Sequence, residues 1–101
     1  MATAIDNQFT LRVVGNSMEP EFWEGDVIIV DPARQPASGS YVIAKVDGGS
    51  DGNGDATFKQ FVADAGRVFL KPLNSRYPVM DMTGREFRVV GVVVEKRKEY
   101  V

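Results

Sequence analysis

The sequence predicts a mostly β domain, built as a bent β-sheet or a partly open barrel with at most short helical turns. Segments rich in Val, Ile, Phe and Tyr recur along the chain, and several alternate apolar with polar residues. Turn-forming glycine, proline and aspartate separate these segments, and none carries a long 3.6-residue apolar period with caps. A length of 101 residues fits one domain.

Six strand candidates follow one another in the order "FTLRVV", "DVIIVD", "YVIAKV", "TFKQFV", "RVFLKPL" and "EFRVVGVVVEK". Turn signals lie between them, at residues 24–26, 32–40, 47–55 and 64–66. We therefore expect six or seven short strands. The best helical candidate is a single turn from Met18 to Phe22. Phe22 and Trp23 either anchor the core, which we favour, or line a substrate or subunit groove.

The composition excludes several classes of protein and site. A formal charge of -2 argues against a nucleic-acid-binding surface, which is normally basic. The absence of histidine and cysteine argues against zinc and disulfides, and no cofactor or metal is predicted. No apolar run approaches the ~20 residues that span a bilayer, and no signal peptide opens the chain. We expect a cytoplasmic protein that does not bind membranes.

The chain has one low-complexity stretch and one weakly anchored end. "DGGSDGNGD" at residues 47–55 has acidic spacing like that of a calcium loop, but it lacks the closing glutamate and is interpreted as a flexible hairpin tip. Residues 1–8 are interpreted as a linker remnant or an artificial start, and residues 9–101 as the domain. The basic residues of "EKRKEY" are interpreted as a solvated strand end.

Ser17, in "VVGNSMEPEF", is either an ordinary turn serine or a nucleophile, and a nucleophile needs a base. Without histidine, the candidate bases are carboxylates and lysines, and a lysine acts as a base only when burial among apolar neighbours lowers its pKa. Lys45 and Lys71 lie in predicted strands, whereas Lys59 stands between Phe58 and Phe61. A lysine beside phenylalanines can equally keep its ammonium in water, and spacing alone does not bring Lys59 to Ser17.

Five segments in order resemble the peptidase domain of LexA and the phage lambda-type repressors, a family of Ser–Lys peptidases that also includes UmuD and the signal peptidases. They are "VVGNSMEPEFWEGDVIIVDP", "GSYVIAKV", "TFKQFV", "RVFLKPLNSRYPVM" and "VVGVVVEK". The resemblance runs from about Phe9 to Glu95, and the segment with "VFLKPLN" and "YP" is most similar to lambdoid phage repressors.

This resemblance implies a Ser–Lys dyad that cleaves the protein's own linker by serine endopeptidase chemistry. Ser17 matches the family nucleophile and Lys59 the general base, a known variant of the serine mechanism. The backbone N–H groups of Asn16 and Ser17 are then the natural oxyanion donors. The Ala65-Gly66 pair resembles a scissile dipeptide, but it falls where a hairpin turn is required and is interpreted as a turn.

The resemblance also implies partners. Lambda-type repressors dimerise through this domain and assemble further, so we expect a homodimer or a higher oligomer. The "EFRVVGVVV" strand, with Phe87, Val90, Val92 and Val94, is either the dimer interface or a central core strand. Operator DNA would be bound only through an N-terminal domain that this chain lacks, and the RecA filament, acting in the SOS response, would be the inducer.

Three alternatives share the fold. One is a UmuD-like accessory of a translesion polymerase, and another is an oligomerisation module in which the dyad is unused. The third is a signal peptidase, which the lack of a membrane anchor disfavours.

Overall fold

The computed structural model describes residues 7–46 and 56–97, and in these residues the chain forms one sheet of seven antiparallel strands. The described residues contain no α-helix. The strands are β1 (Phe9–Arg12), β2 (Val27–Asp31), β3 (Tyr41–Val46), β4 (Ala56–Asp64), β5 (Arg67–Lys71), β6 (Met80–Asp81) and β7 (Phe87–Arg97). The predicted mostly β fold is confirmed.

The last strand lies in the middle of the sheet, whose order is β1-β2-β7-β3-β4-β5-β6. β7 carries an irregularity against each neighbour. Ile29 pairs with Glu95 and Val30 with Val93, which leaves Val94 as an extra residue. Ile43 pairs with Gly91 and Ala44 with Val89, which leaves Val90 as an extra residue. Because bulges bend a strand and increase its twist, two of them in the central strand help to curl the sheet into a half-barrel.

The curled sheet buries apolar side chains in two clusters. The first contains Val13, Met18, Phe22, Ile28, Val30 and Ile43. The second contains Val42, Ala44, Leu70, Met82 and Val92. β3 contributes to both clusters, since successive side chains of a strand point to opposite faces. The apolar strand residues seen in the sequence are thus divided between two sides of one sheet.

Gly91 stands where β7 passes closest to β2. A Cβ at this position would lie 2.5 Å from Cγ1 of Val30 and 3.1 Å from the backbone oxygen of Asp31. Both distances are shorter than ordinary contacts, so the central strand packs here only because the residue has no side chain.

Several local predictions have clear outcomes. Around residues 18–22 the Phe22 N–H donates to the Met18 carbonyl at 3.0 Å, which closes a single turn. Phe22 is buried as expected, but Trp23 is 49% exposed, so its predicted role as a core anchor is wrong. The two-residue strand β6 was not predicted, because two residues carry no readable alternation.

Ala65 and Gly66 form the turn of a two-residue hairpin between β4 and β5. Asp64 pairs with Arg67 across it, and both turn residues have positive φ, 51° and 81°. This is the pattern of a type I′ turn, whose twist suits the flanking strands. The prediction that this Ala-Gly pair is a turn is confirmed.

Three predictions concern the limits of the described chain. The predicted hairpin tip at 47–55 lies outside the described residues, and so do residues 1–6 and the end of the basic terminal segment. β1 begins at Phe9, and the proposed domain boundary there stays a prediction. No helix within residues 7–46 and 56–97 is long and apolar enough to cross a membrane.

Candidate active site

Ser17 lies on the loop between β1 and β2, and this loop is anchored from both sides. Val13 before it and Met18 after it are buried in the first core cluster, with 5% and 1% of their surface exposed. Gly15 has a φ of 81°, a conformation that costs glycine little and other residues more. The loop therefore turns at Gly15 and presents Ser17 from a rigid base.

The Gly-Asp pair that follows in the sequence holds the base of this loop. The Val13 N–H donates to the Asp26 carbonyl and the Gly25 N–H to the Val13 carbonyl, both at 2.9 Å. The buried carboxylate of Asp26 accepts the Trp23 N–H at 2.9 Å, which closes the turn between them. Asp26 is thus a structural residue that fixes the start of the Ser17 loop.

β4 brings Lys59 to Ser17, with 3.4 Å between Nζ and Oγ. In a flat sheet β1 and β4 would be four strand spacings apart, roughly 19 Å at ~4.8 Å per spacing. The curl of the sheet removes this separation. Two other groups also accept hydrogen bonds from the Lys59 amine: Thr57 Oγ1 at 2.9 Å and the Phe58 carbonyl at 3.2 Å.

The burial of Lys59 favours its neutral form. Burial lowers the pKa of Lys59 below its ordinary value, because a desolvated ammonium loses hydration energy. Its three hydrogen-bond acceptors are neutral, and within the described part of the chain no carboxylate forms an ion pair with it. Nothing there offsets the loss of hydration with an opposite charge, so Lys59 can act as a base nearer to neutral pH.

The other described lysines are placed differently. Lys45 and Lys71 are exposed on β3 and β5. Lys96 on β7 donates to the backbone oxygen of Glu21 at 2.6 Å and lies 3.4 Å from its carboxylate. Lys98 is outside the described residues. Of the strand lysines that the sequence left open, the structure brings Lys59 to Ser17.

Comparison with known proteins identifies the family. A family model described as "Peptidase S24-like" matches residues 1–94. The chain belongs to the peptidase S24-like family.

Individual members of this family are also similar to the chain. It is 42% identical over 96 residues to repressor protein C2 of Salmonella phage P22, covering 91% of this chain and 42% of that repressor. It is 43% identical over 90 residues to the HTH-type transcriptional regulator for conjugative element SXT of Vibrio cholerae, covering 84% of this chain and 40% of the regulator. It is 36% identical over 89 residues to a LexA repressor of Desulfatibacillum aliphaticivorans, covering 84% of this chain and 41% of that repressor.

The chain thus corresponds to one domain of phage and LexA-type repressors. The chain spans between 40% and 42% of the length of these three relatives. The predicted resemblance to LexA and phage repressors is confirmed.

Two backbone N–H groups of the Ser17 loop are available for a ligand. Among the described residues, no hydrogen bond uses the N–H of Asn16 or of Ser17. Both are the predicted oxyanion donors. Their carbonyls, by contrast, are both occupied: the Asn74 side-chain Nδ2 donates to the Asn16 oxygen at 2.9 Å, and the Asn74 N–H donates to the Ser17 oxygen at 3.0 Å.

Asn74 is a site residue that sequence reasoning missed. It lies in the turn after β5, within "KPLNSRYP", where it also accepts the Arg76 N–H on Oδ1 at 3.0 Å. Tyr77 from the same turn donates its hydroxyl to Oδ1 of Asn16. An asparagine between two prolines is a recognisable turn signal, but its partners are loop carbonyls far away in the sequence, and these have no sequence signature.

Two clefts include residues next to Ser17 or Lys59 in sequence among their walls. One, of about 180 Å³, has Val13, Val14, Thr57 and Phe58 among its walls. The other, of about 440 Å³, is lined by residues that include Asn16, Trp23 and Asn74. The first is lined mainly by apolar residues, and the second by a mixture of polar and apolar residues.

The four residues predicted as a possible dimer interface lie on the central strand β7. Val92 is 4% exposed and belongs to the second core cluster. Phe87 packs against that cluster and Val90 against the first. Val94 is half-buried beside Glu21 and Tyr41. This placement agrees with the core-strand alternative for Val92, and the interface assignment stays a prediction.

No metal centre is formed by the described residues. Nowhere in residues 7–46 and 56–97 do three side chains of histidine, cysteine, aspartate or glutamate gather as metal ligands.

Proposed function

We propose that this chain is the self-cleaving serine peptidase domain of a phage-type repressor, with Ser17 as nucleophile and Lys59 as general base. The observation that carries the proposal is the 3.4 Å separation of Lys59 Nζ and Ser17 Oγ. Membership of the S24 family and the lowered pKa of Lys59 support it. The substrate is a peptide bond in the protein's own linker.

The reaction begins when neutral Lys59 accepts the hydroxyl proton of Ser17 as Oγ bonds to the scissile carbonyl carbon. The ammonium of Lys59 then donates this proton to the leaving amide nitrogen as the C–N bond breaks, which leaves an ester on Ser17. Water attacks the ester while Lys59 accepts one of its protons. The C–O bond breaks, and the proton returns to Ser17 Oγ.

The oxyanion of both tetrahedral intermediates is stabilised by the N–H groups of Asn16 and Ser17. Preorganised amide donors act strongly on developing charge, and losing one donor of such a site costs about 10²–10³ in rate. The supporting observation is that the described chain uses neither N–H for another hydrogen bond.

Ser17→Ala tests the proposal in a chimera in which this chain replaces the matching segment of the P22 repressor, its 42%-identical relative. We expect the parent chimera to cleave itself into two fragments at alkaline pH, as seen by gel electrophoresis and mass spectrometry. Ser17→Ala should reduce the rate by at least ~10³-fold, because the attacking atom is removed.

Ser40→Ala is the matched control, since Ser40 is a half-buried serine whose hydroxyl accepts the Ala37 N–H of the neighbouring turn. A parent chimera that stays intact at pH 10, or a Ser17→Ala chimera that cleaves like the parent, would contradict the peptidase. The domain would then be an oligomerisation module.

The same domain is proposed to pair repressor subunits, as a homodimer or a larger assembly. Operator DNA would be bound through a separate domain, and the RecA filament would accelerate cleavage. The four-residue interface prediction is tested at Val94, which of the four is the one outside both core clusters. Val94→Asp should weaken self-association in analytical ultracentrifugation, and an unchanged association constant would exclude this face.

A further inference from the structure

The turn that carries Asn74 does not need the side-chain nitrogen of this residue for its own stability. Its Oδ1 accepts the Arg76 N–H at 3.0 Å and its backbone oxygen accepts the Tyr77 N–H at 3.1 Å. The preceding residues Pro72 and Leu73 are buried and half-buried, and Leu73 packs against the first core cluster. These contacts therefore stabilise the turn without the Nδ2 group of Asn74.

That remaining donor is used on the nucleophile loop, across 58 residues of sequence. Its acceptor, the Asn16 carbonyl, belongs to the same planar peptide unit as the Ser17 N–H. In a trans peptide the C=O and the N–H point in opposite directions. The Asn16 oxygen also accepts the Glu19 N–H, at the longer distance of 3.3 Å. The shorter hydrogen bond holds the Asn16 oxygen toward Asn74 and therefore directs the Ser17 N–H away from it. The next peptide unit is held in the same way by the Asn74 N–H at the Ser17 oxygen, 3.0 Å away.

We propose that Asn74 is a positioning residue that fixes the direction of the Ser17 N–H, and with it the oxyanion site. The expected effect of Asn74 on the cleavage rate rests on the proposed peptidase function. Its expected effect on the loop rests on geometry alone. Asn74 touches no reacting atom in this scheme; it acts through the peptide unit between Asn16 and Ser17.

Two substitutions separate the side-chain donor from the rest of the turn. Asn74→Asp keeps an oxygen for the Arg76 N–H but replaces the donor by a second acceptor facing the Asn16 carbonyl. Asn74→Ala removes both groups and adds no charge. Ser75→Ala, in the neighbouring exposed residue, is the matched control.

The first measurement is the ¹⁵N order parameter of the Ser17 amide in the domain itself. We expect a value near ~0.85 in the parent, typical of rigid backbone, and a clear fall in both Asn74 variants. An order parameter and amide shift unchanged in both variants would overturn the proposal, whether or not the parent cleaves.

The second measurement is the self-cleavage rate of the P22 chimera across pH. We expect the plateau rate to fall about tenfold to a hundredfold in Asn74→Ala, since a donor is misdirected rather than deleted. The pH midpoint should stay unchanged, because Lys59 keeps its surroundings. Full rate in both variants with an active parent would overturn the role in catalysis. So would a rate fully restored by cooling, because loss of folded protein would then explain the defect.

If the parent chimera does not cleave, the peptidase proposal fails. The order parameter of Ser17 still decides whether Asn74 holds the loop, so the two failures are distinguishable.

Discussion

The two ends of β4 differ in burial and in the parts of the chain that they contact. At its start, Thr57 and Lys59 are half-buried, and the Lys59 amine bonds to a serine 42 residues away in sequence. At its end, Ala63 and Asp64 are exposed and lead into the Ala65-Gly66 turn, which returns at once to β5. The start of β4 contacts a loop that is distant in sequence, whereas its end leads directly into the adjacent strand β5.

This contrast shows why the Ala-Gly dipeptide is a turn and the Gly-Asn-Ser segment is a candidate for chemistry. The hairpin needs only local strand pairing, so its residues can be exposed. The Ser17 loop is held by Asp26, Asn74 and the first core cluster, and the N–H groups of Asn16 and Ser17 make no hydrogen bond within the described chain. Partial dehydration occurs at the start of β4 and is missing at its exposed end, and it is needed to lower a lysine pKa.

The largest expected effect comes from removing the amine at the start of β4. Lys59→Met keeps the length of the side chain and should lower the self-cleavage rate of the P22 chimera by ~10²–10⁴, the usual contribution of a general base. Lys71→Met is the control, because Lys71 lies exposed on the adjacent strand opposite Gln60. Fragment formation over time at pH 9 measures both. An equal loss of cleavage rate in the two variants would show that the substitutions act on the fold and not on the dyad.

The second prediction concerns pH. Burial lowers the pKa of Lys59, so the fraction of neutral amine grows as pH rises toward that value and saturates above it. We expect the cleavage rate to rise about tenfold per pH unit well below the pKa of Lys59 and to level off at a pH lower than the ordinary lysine value of ~10.4. A rate profile from pH 6 to 11 measures this. A flat profile, or a rate that still rises tenfold per unit up to pH 11, would disagree with a dehydrated base.

The sequence supplied the residue types at both ends of β4, but it did not supply their separation. Ser17 and Lys59 stand in motifs that resemble a family, and the Ala65-Gly66 turn follows from local chemistry. The contact between Ser17 and Lys59 depends on strand order. β7, the last strand in the chain, inserts between β2 and β3, and its bulges at Val90 and Val94 bend the sheet. Asn74 could not be predicted, because its partners are backbone carbonyls.

A smaller effect is expected from the hydroxyl beside the amine. Thr57 Oγ1 accepts a hydrogen bond from Lys59 Nζ at 2.9 Å, which orients the amine and favours its charged form. Thr57→Val keeps the shape and removes the acceptor. The plateau rate should fall about fivefold to tenfold, in line with ~1 kcal/mol for one hydrogen bond. The pH midpoint should move down, because the ammonium loses a partner.

Thr10→Val, on exposed β1, is the matched control for the same chemical change. An upward movement of the midpoint in Thr57→Val would show that the hydroxyl stabilises neutral Lys59 instead.

The smallest effect belongs to the far end of β4. Ala65 has a φ of 51°, a left-handed conformation that disfavours alanine and that asparagine adopts more readily. Ala65→Asn creates an Asn-Gly turn, the preferred type I′ pair, and should raise the free energy of unfolding by roughly 0.5–1 kcal/mol in urea titrations. The self-cleavage rate of the chimera should not change, although the only Ala-Gly dipeptide of this chain is gone. Loss of cleavage in Ala65→Asn would mean that the scissile bond lies in the hairpin, and the two ends of β4 would then serve the same reaction.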